Sequence, residues 1–248
     1  MQNRLRDGIA YVEDYALSLG DDSTTYWKYH KQRFEWTARL ILDLAARLNG
    51  AGTPMRKMLD VGPAHQTLLL EQLFPDAQID TLGFLDQRYA LKRQTVHIHF
   101  DLNDTFDREK WPIPDGEKYD IIVLLEVIEH LYTSPRLIFA YLKEILQPHG
   151  LIVTQTPNAV SLGRRIKVLA GRNPYDLIRE SRTNPGHFRE YTSKEMCQLA
   201  EAAGLALVEA HTINYFNNKG LPSRISGFLP ASFRDGMTHV FGSNAGST

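Results

Sequence analysis

The sequence predicts an α/β fold: a doubly wound, mostly parallel sheet with an N-terminal helical elaboration and a lid insertion. Two observations carry this reading. From Met55 onward, short apolar stretches alternate with stretches of helical period, the pattern that βαβ units impose. Glycines also stand where a helix must give way to a strand, Gly150 in QPHGLIVTQTP and Gly204 in EAAGLALVEA. The alternation places strands near 56–61, 78–84, 96–100, 119–125, 150–156 and 205–212. Helices are expected near 66–74, 86–93, 134–146 and 192–203.

Before the alternation begins, Phe34, Ala38, Ile41, Leu42, Ala45 and Leu48 recur at helical spacing, and the Gly50–Gly52 segment ends the pattern. Residues 1–54 are therefore expected to pack helices on a core spanning 55–212. Within that core, residues 157–191 interrupt the alternation and are rich in Arg, Pro, Asn and Gly. They read as a lid, because ligands of such sheets bind beyond the carboxyl ends of the strands. Arg164, Arg165, Lys167, Arg172, Arg179, Arg182 and Arg189 make the segment locally basic, and Leu162, Ile166 and Leu169 are expected to face inward. Residues 213–248 are read as a strand near Thr238–Phe241 or a flap, followed by a disordered tail, GSNAGST.

Composition narrows the function classes. Lys plus Arg number 28 and Asp plus Glu 29, so the net charge is −1 and no global field favours nucleic acid or an anionic surface. The single cysteine, Cys197, excludes an internal disulfide and a cysteine-rich zinc site, and it suits a reducing compartment. Its helical context reads as a buried small residue. The first twenty residues carry charges throughout, and the longest strongly apolar run, 121–125, is far too short to span a bilayer. A cytoplasmic protein with no integral membrane segment is expected.

The chemistry concentrates at strand ends. Lys57-Met58-Leu59-Asp60-Val61-Gly62-Pro63-Ala64-His65 is an apolar strand that turns through glycine into a helix, where backbone can approach a ligand and unpaired N–H groups are on offer. A third strand ends in Phe100-Asp101-Leu102-Asn103, and a fourth reads YDIIVLLEVIEHL through Glu126, Glu129 and His130. Each of these ends carries a carboxylate.

With LQPHGLIVTQTPN and GHFREYT added in order, residues 55–212 resemble the class I S-adenosylmethionine-dependent methyltransferases. The likeness is to the broad bacterial group that modifies quinones, sugars, lipids and secondary metabolites. It implies a Rossmann-like sheet and S-adenosylmethionine as cofactor. By that resemblance Asp60, Gly62, Pro63 and Ala64 form the turn around the methionine part, although the usual further glycines are replaced by Pro63-Ala64-His65. Asp86 matches the acid that accepts the ribose hydroxyls, with Asp80 as a rival. Asp101 and Leu102 match the adenine contacts, and Glu126 the methionine end.

The resemblance further implies methyl transfer to a small-molecule, sugar or lipid-linked acceptor, an anionic one suiting the basic lid. His187 and His130 are the candidate catalytic residues, His187 as general base. Oxygen is favoured as the acceptor atom, because the place of the Asn/Asp-Pro-Pro-aromatic motif of many nitrogen methyltransferases reads Leu125-Glu126-Val127-Ile128. Two alternatives accompany this reading. Glu126, Glu129, His130 and His187 resemble the metal-binding set of the small-RNA 2′-O-methyltransferases, whereas the principal reading uses no metal and no nucleic acid. The altered glycine turn also suits a non-catalytic binding module of the same fold. Tyr11, Tyr15, Tyr26, Trp27 and Tyr29 are candidates to cap the pocket from the N-terminal side.

Overall fold

A computed structural model describes residues 2–89, 92, 95–113, 118–181, 185–215 and 225–243. Two helices open the chain, α1 (Gln2–Ser18) and α2 (Asp21–Gly50). They lead into β1 (Lys57–Val61), α3 (His65–Leu73), β2 (Gln78–Gly83), β3 (His97–His99) and β4 (Tyr119–Leu125). There follow α4 (Pro135–Glu144), β5 (Leu146–Pro157), α5 (Leu162–Leu169), α6 (Ser193–Ala202), β6 (Leu205–Ile213) and β7 (Gly236–Ser243).

The sheet order is β3-β2-β1-β4-β5-β7-β6, parallel from β3 to β5, with β7 antiparallel to both β5 and β6. β4 shows why the strands read as unbroken apolar runs: every residue but the last is buried, because both faces are covered. Leu59, Ile122, Leu124 and Ile152 point to one side and pack on α4 and α6. Met58, Ile121, Val123 and Val153 point to the other and pack on Leu40, Ile41 and Leu44 of α2. A third cluster joins α1, α2 and α3 through Val12, Trp27, Phe34 and Leu69.

The strand order reverses between β1 and β4, and at this switch point the carboxyl ends of neighbouring strands part to form a crevice. Residues 157–191 leave the sheet and return beside their starting point, where Asn158 bridges Tyr191. None of the described helices is long and apolar enough to cross a membrane.

Several expectations need correction. The helix expected near 86–93 does not form over 86–89. Asp86 Oδ1 instead accepts from the Arg88 amide at 2.9 Å, closing a tight turn that sends Tyr89 inward to His65. The rest of that stretch, except Lys92, lies outside the described residues. The lid helix α5 forms, but Ile166 and Leu169 are exposed and none of its residues is fully buried. The C-terminal segment supplies a strand, β7, deep in the sheet. The tail residues 244–248 and Arg182 lie outside the described residues.

Candidate active site

The crevice is floored by glycine. Gly62 follows β1 at φ 81°, in the left-handed region, and a Cβ there would meet Val127 Cγ2, just past β4, at 2.9 Å. Gly83 ends β2 at φ 122°, and a Cβ on it would lie 3.7 Å from Gly62 N. Two glycines face to face leave backbone open to a ligand. Gln66, the second residue of α3, is buried with neither amide atom bonded among the described residues. A buried amide left this way suits a polar ligand group.

Asp60 is buried at the end of β1. Its Oδ2 accepts from Thr67 Oγ1 at 2.6 Å, and Thr67 Oγ1 accepts from the Ala64 amide at 3.0 Å, so the turn is tied to the strand it leaves. Burial pushes the Asp60 carboxyl up to about 7, against the Thr67 hydrogen bond and with help from Glu71. The folded state therefore holds this proton more tightly than the unfolded chain. The associated stability is complete below about pH 4 and is lost as pH rises to about 7, a loss of up to about 4 kcal/mol. Asp60→Asn, which cannot ionise, is expected to gain in melting temperature over wild type between pH 5 and pH 8. A constant difference across that range would contradict the assignment.

The Pro63-Ala64-His65 departure has a structural cause. His65 is buried at the start of α3, with Nε2 3.0 Å from Ser23 Oγ and Nδ1 3.2 Å from Tyr89 Oη. Its ring lies among those of Tyr26, Trp27 and Phe34. A residue expected in a glycine-rich turn is thus the socket into which α2 locks. Burial, with the charges of Arg88 and Arg33, lowers the imidazole to about 4, so it stays neutral.

The other proposed cofactor contacts stand as follows. Asp86 lies beyond β2, its carboxylate held by the Arg88 guanidinium at 2.9 Å and pulled below the usual range by that bond. Asp80, the rival, faces the amino ends of the strands, where it meets Lys57, Tyr119 Oη and the Val96 amide. It is removed from the crevice. Asp101 Oδ1 caps a 3-10 turn by accepting from Asn103 N at 2.9 Å, and the Leu102 side chain is buried in the core.

Past β4 the chain turns at Glu126, whose φ of 54° is the one left-handed value outside glycine among the described residues. Such a conformation costs about 1–3 kcal/mol and persists where the surroundings impose it. Here the Glu126 amide is fixed to Gln155 O at 2.8 Å. The next turn presents Glu129 and His130, and the returning lid brings His187 to them. One ligand atom from each of these three side chains lies within 4.8 Å of the others. Glu126 is not within that set but is close enough for its charge to be felt by Glu129.

Two contacts fix the imidazoles. His130 Nδ1 donates to Gly186 O at 2.9 Å, since a carbonyl offers only lone pairs, and this leaves Nε2 as an acceptor. His187 Nδ1 is held by Glu190 Oε1 at 2.8 Å, which also frees its Nε2, and the two rings meet edge to face at 4.7 Å. Burial lowers His130, keeping it neutral. Burial raises Glu126, and burial together with the Glu126 charge raises Glu129 well above the carboxylate range. Neither Glu126 Oε1 nor Glu129 Oε1 receives a hydrogen bond from an N–H or hydroxyl group among the described residues.

Comparison with known proteins gives this crevice its family. Residues 29–210 match the family model described as a methyltransferase domain. The chain belongs to the class I S-adenosylmethionine-dependent methyltransferases. A Mycolicibacterium smegmatis protein named "Probable S-adenosylmethionine-dependent methyltransferase" is 31% identical over 110 residues, which cover 44% of this chain and 36% of that relative. An S-adenosylmethionine-dependent methyltransferase of Clostridium acetobutylicum superposes with a TM-score of 0.54 at 13% identity, over 97% of this chain and 99% of that one. The CcbJ methyltransferase of Streptomyces caelestis gives 0.54 at 15%, over 87% and 90%. At these identities the structural likeness is one of fold. The glycine floor and the orphaned Gln66 amide fit the cofactor of the family.

In this methyltransferase a cavity of about 430 Å³ lies beside the cluster, lined by His30, Glu126, Arg164, Lys167, His187 and Glu190 among others. Tyr29 also lines it, whereas Trp27 belongs to the core and Tyr15 reaches Arg88 O. The residue that sequence reasoning missed is Arg33. Only 2% exposed, it donates from Nη1 to Gln155 Oε1 at 3.2 Å, from Nε to His30 Nδ1 at 3.3 Å and from Nη2 to Tyr26 Oη at 3.4 Å. It is the buried cation whose charge most opposes the rise of Glu126. Its signal was available, because Arg33 falls four residues before Thr37, eight before Ile41 and eleven before Leu44, on the apolar stripe.

Proposed function

We propose that this methyltransferase transfers the methyl group of S-adenosylmethionine to a hydroxyl oxygen of a small-molecule, sugar or lipid-linked acceptor, an anionic one, seated in the cavity beneath residues 157–191. The observation that carries this is His187, whose Nδ1 is engaged by Glu190 while its Nε2 is left to take a proton at the cavity wall. The cofactor supplies an electrophilic methyl on a sulfonium. Gly62, Pro63 and Ala64 with buried Asp60 would bound its methionine part, Asp86 held by Arg88 would accept the ribose hydroxyls, Asp101 and Leu102 would meet the adenine, and Glu126 the methionine end. Lys167 and Arg179, both lining the cavity, suit a phosphate or carboxylate on the acceptor.

The experiment is calorimetric titration with S-adenosylhomocysteine, wild type against Asp86→Ala. Saturable binding weakened roughly tenfold by the substitution, as loss of a charge-assisted hydrogen bond implies, is the expected result. A folded wild type that does not bind would overturn the cofactor assignment. Binding without turnover of any hydroxyl acceptor would favour the non-catalytic module.

One observation favours a second reading. Glu129, His130 and His187 bring a carboxylate oxygen and two imidazole nitrogens together, each imidazole oriented by a hydrogen bond from its other nitrogen, as ligands of a divalent ion are. With Glu126 nearby, this set would hold such an ion, which lowers the pKa of a bound hydroxyl and suits vicinal hydroxyls such as those of an RNA end. Titration of chelator-treated protein with Mn²⁺ separates the readings. Stoichiometric binding abolished by His130→Ala supports the ion, and its absence removes this reading while leaving His187 as base.

A further inference from the structure

The lid carries an apolar surface that the core does not use. Helical spacing at roughly 100° per residue sets Gly163, Arg164 and Lys167 of α5 on one side and Leu162, Ile166 and Leu169 on the other. The first side lines the cavity. The second faces away from it, with Leu169 88% exposed and Ile166 47% exposed. Ile178, 58% exposed, follows in the same segment, beside Leu177 at the cavity mouth, and Lys167 Nζ bonds to Pro174 O to hold the segment's two arms together. Phe228, 94% exposed, belongs to the adjoining stretch, which Arg165 joins by lying 4.5 Å over the Phe233 ring. Large apolar side chains exposed in one neighbourhood mark an interaction surface.

Along α5 and up to Tyr175 the charge has one sign, and Asp176 and Glu180 appear only beside Leu177 and Ile178. No Asp or Glu occurs between Glu144 and Asp176, whereas Arg164, Arg165, Lys167 and Arg172 all fall within that stretch. Arg165 and Arg172 are exposed. An apolar helix face flanked by cations is the composition that lies in the headgroup region of an anionic bilayer, where arginine and lysine stems also reach the phosphates. The near-neutral whole chain does not supply this attraction, so the lid itself must.

We propose that α5 and the exposed residues of the 166–178 segment dock this methyltransferase on an anionic lipid surface, placing the cavity beneath the lid against the source of a lipid-linked acceptor. This rests on the lipid-linked form of the proposed function and selects it over a freely diffusing sugar or metabolite. Because the cavity side and the docking side are opposite faces of one short helix, adsorption would reposition Arg164 and Lys167 at the cavity wall.

The test is co-sedimentation of the full chain with phosphatidylglycerol/phosphatidylcholine vesicles and with phosphatidylcholine alone, beside titration with S-adenosylhomocysteine. Wild type is expected to bind the anionic vesicles and to lose binding as salt rises. Leu169→Asp, at an exposed position that leaves the fold unchanged, should weaken partition roughly tenfold or more. Arg172→Gln should weaken it about fivefold. Protein that binds S-adenosylhomocysteine yet ignores anionic vesicles overturns the docking surface and leaves the methyltransferase reading standing. Vesicle binding unchanged in both variants overturns it as well. Self-association abolished by Leu169→Asp, without vesicle binding, would assign the surface to a second copy of the chain.

Discussion

Replacing Arg33 with methionine is expected to destabilise the protein by about 3 kcal/mol, a loss of roughly 10 °C in melting temperature for a chain of this size. Methionine matches much of the volume, so the loss is electrostatic. It strips the donor from Gln155 Oε1 and removes the buried cation whose charge most opposes the rise of Glu126. Gln155 also donates to Thr37 Oγ1 and Thr238 Oγ1, so the disturbance runs from α2 through β5 to β7. Arg33→Lys restores the charge but not the three-way fork and should recover only part of the loss. Thermal unfolding of the three proteins at neutral pH decides the matter, and a methionine variant as stable as wild type would show that the buried cation is not what holds this network.

His187→Ala is expected to lower kcat by on the order of 10²-fold or more while leaving affinity for S-adenosylhomocysteine within a factor of about two. The split follows from its position, at the cavity wall and on the lid. Glu190→Gln should give a smaller fall, since it leaves a hydrogen-bond acceptor for His187 Nδ1 while removing a charge that also pairs with Arg164. Single-turnover kinetics with a hydroxyl acceptor measures this directly. An alanine variant whose chemical step is within threefold of wild type would assign His187 to lid positioning and leave methyl transfer to proximity alone.

How much of this was legible in the sequence depends on whether the signal was local. β1, β4 and β5 are runs buried on both faces, and their apolar continuity is written into the chain. The turns at Gly62 and Gly204 were equally plain, because both glycines take a positive φ; Gly150, expected to end a helix in the same way, instead lies within β5, where a Cβ would meet Leu146 and Tyr119 O. β7 was harder, since GMTHVFGS mixes polar and apolar residues and earns its place from pairing on both sides. The helix expected at 86–93 is absent over 86–89 because periodicity cannot weigh a single Asp–Arg turn and one tyrosine drawn into a distant aromatic socket. The lid helix was read with the correct period but the wrong partner: an apolar stripe says that something covers it, not that the core does.

The site divides in the same way. Glu126, Glu129, His130 and His187 were identified by motif, yet nothing in their spacing reveals that Gly186 and Glu190 orient the two imidazoles. The His130–Gly186 contact joins positions 56 residues apart and exists only once the lid returns, whereas His187 and Glu190 lie three residues apart within the lid. Arg33 was hidden only in part. Its place on the apolar stripe of α2 is written in the spacing, but an arginine there also reads as solvated, and the encounter with Gln155 names the partner that lets it be buried.

The place of β7 bears on how the chain comes together during synthesis. β6 finds its hydrogen-bonding partner only in β7, and one edge of β5 is likewise open until β7 arrives. A ribosome-bound chain that has emitted everything through residue 213 therefore displays two unpaired strand edges, the kind of surface on which nascent chains pair wrongly. Closure of the sheet is postponed to residues 236–243, which must thread between strands already made. Slower emergence of residues 236–243 would lengthen the time for which those edges stay open.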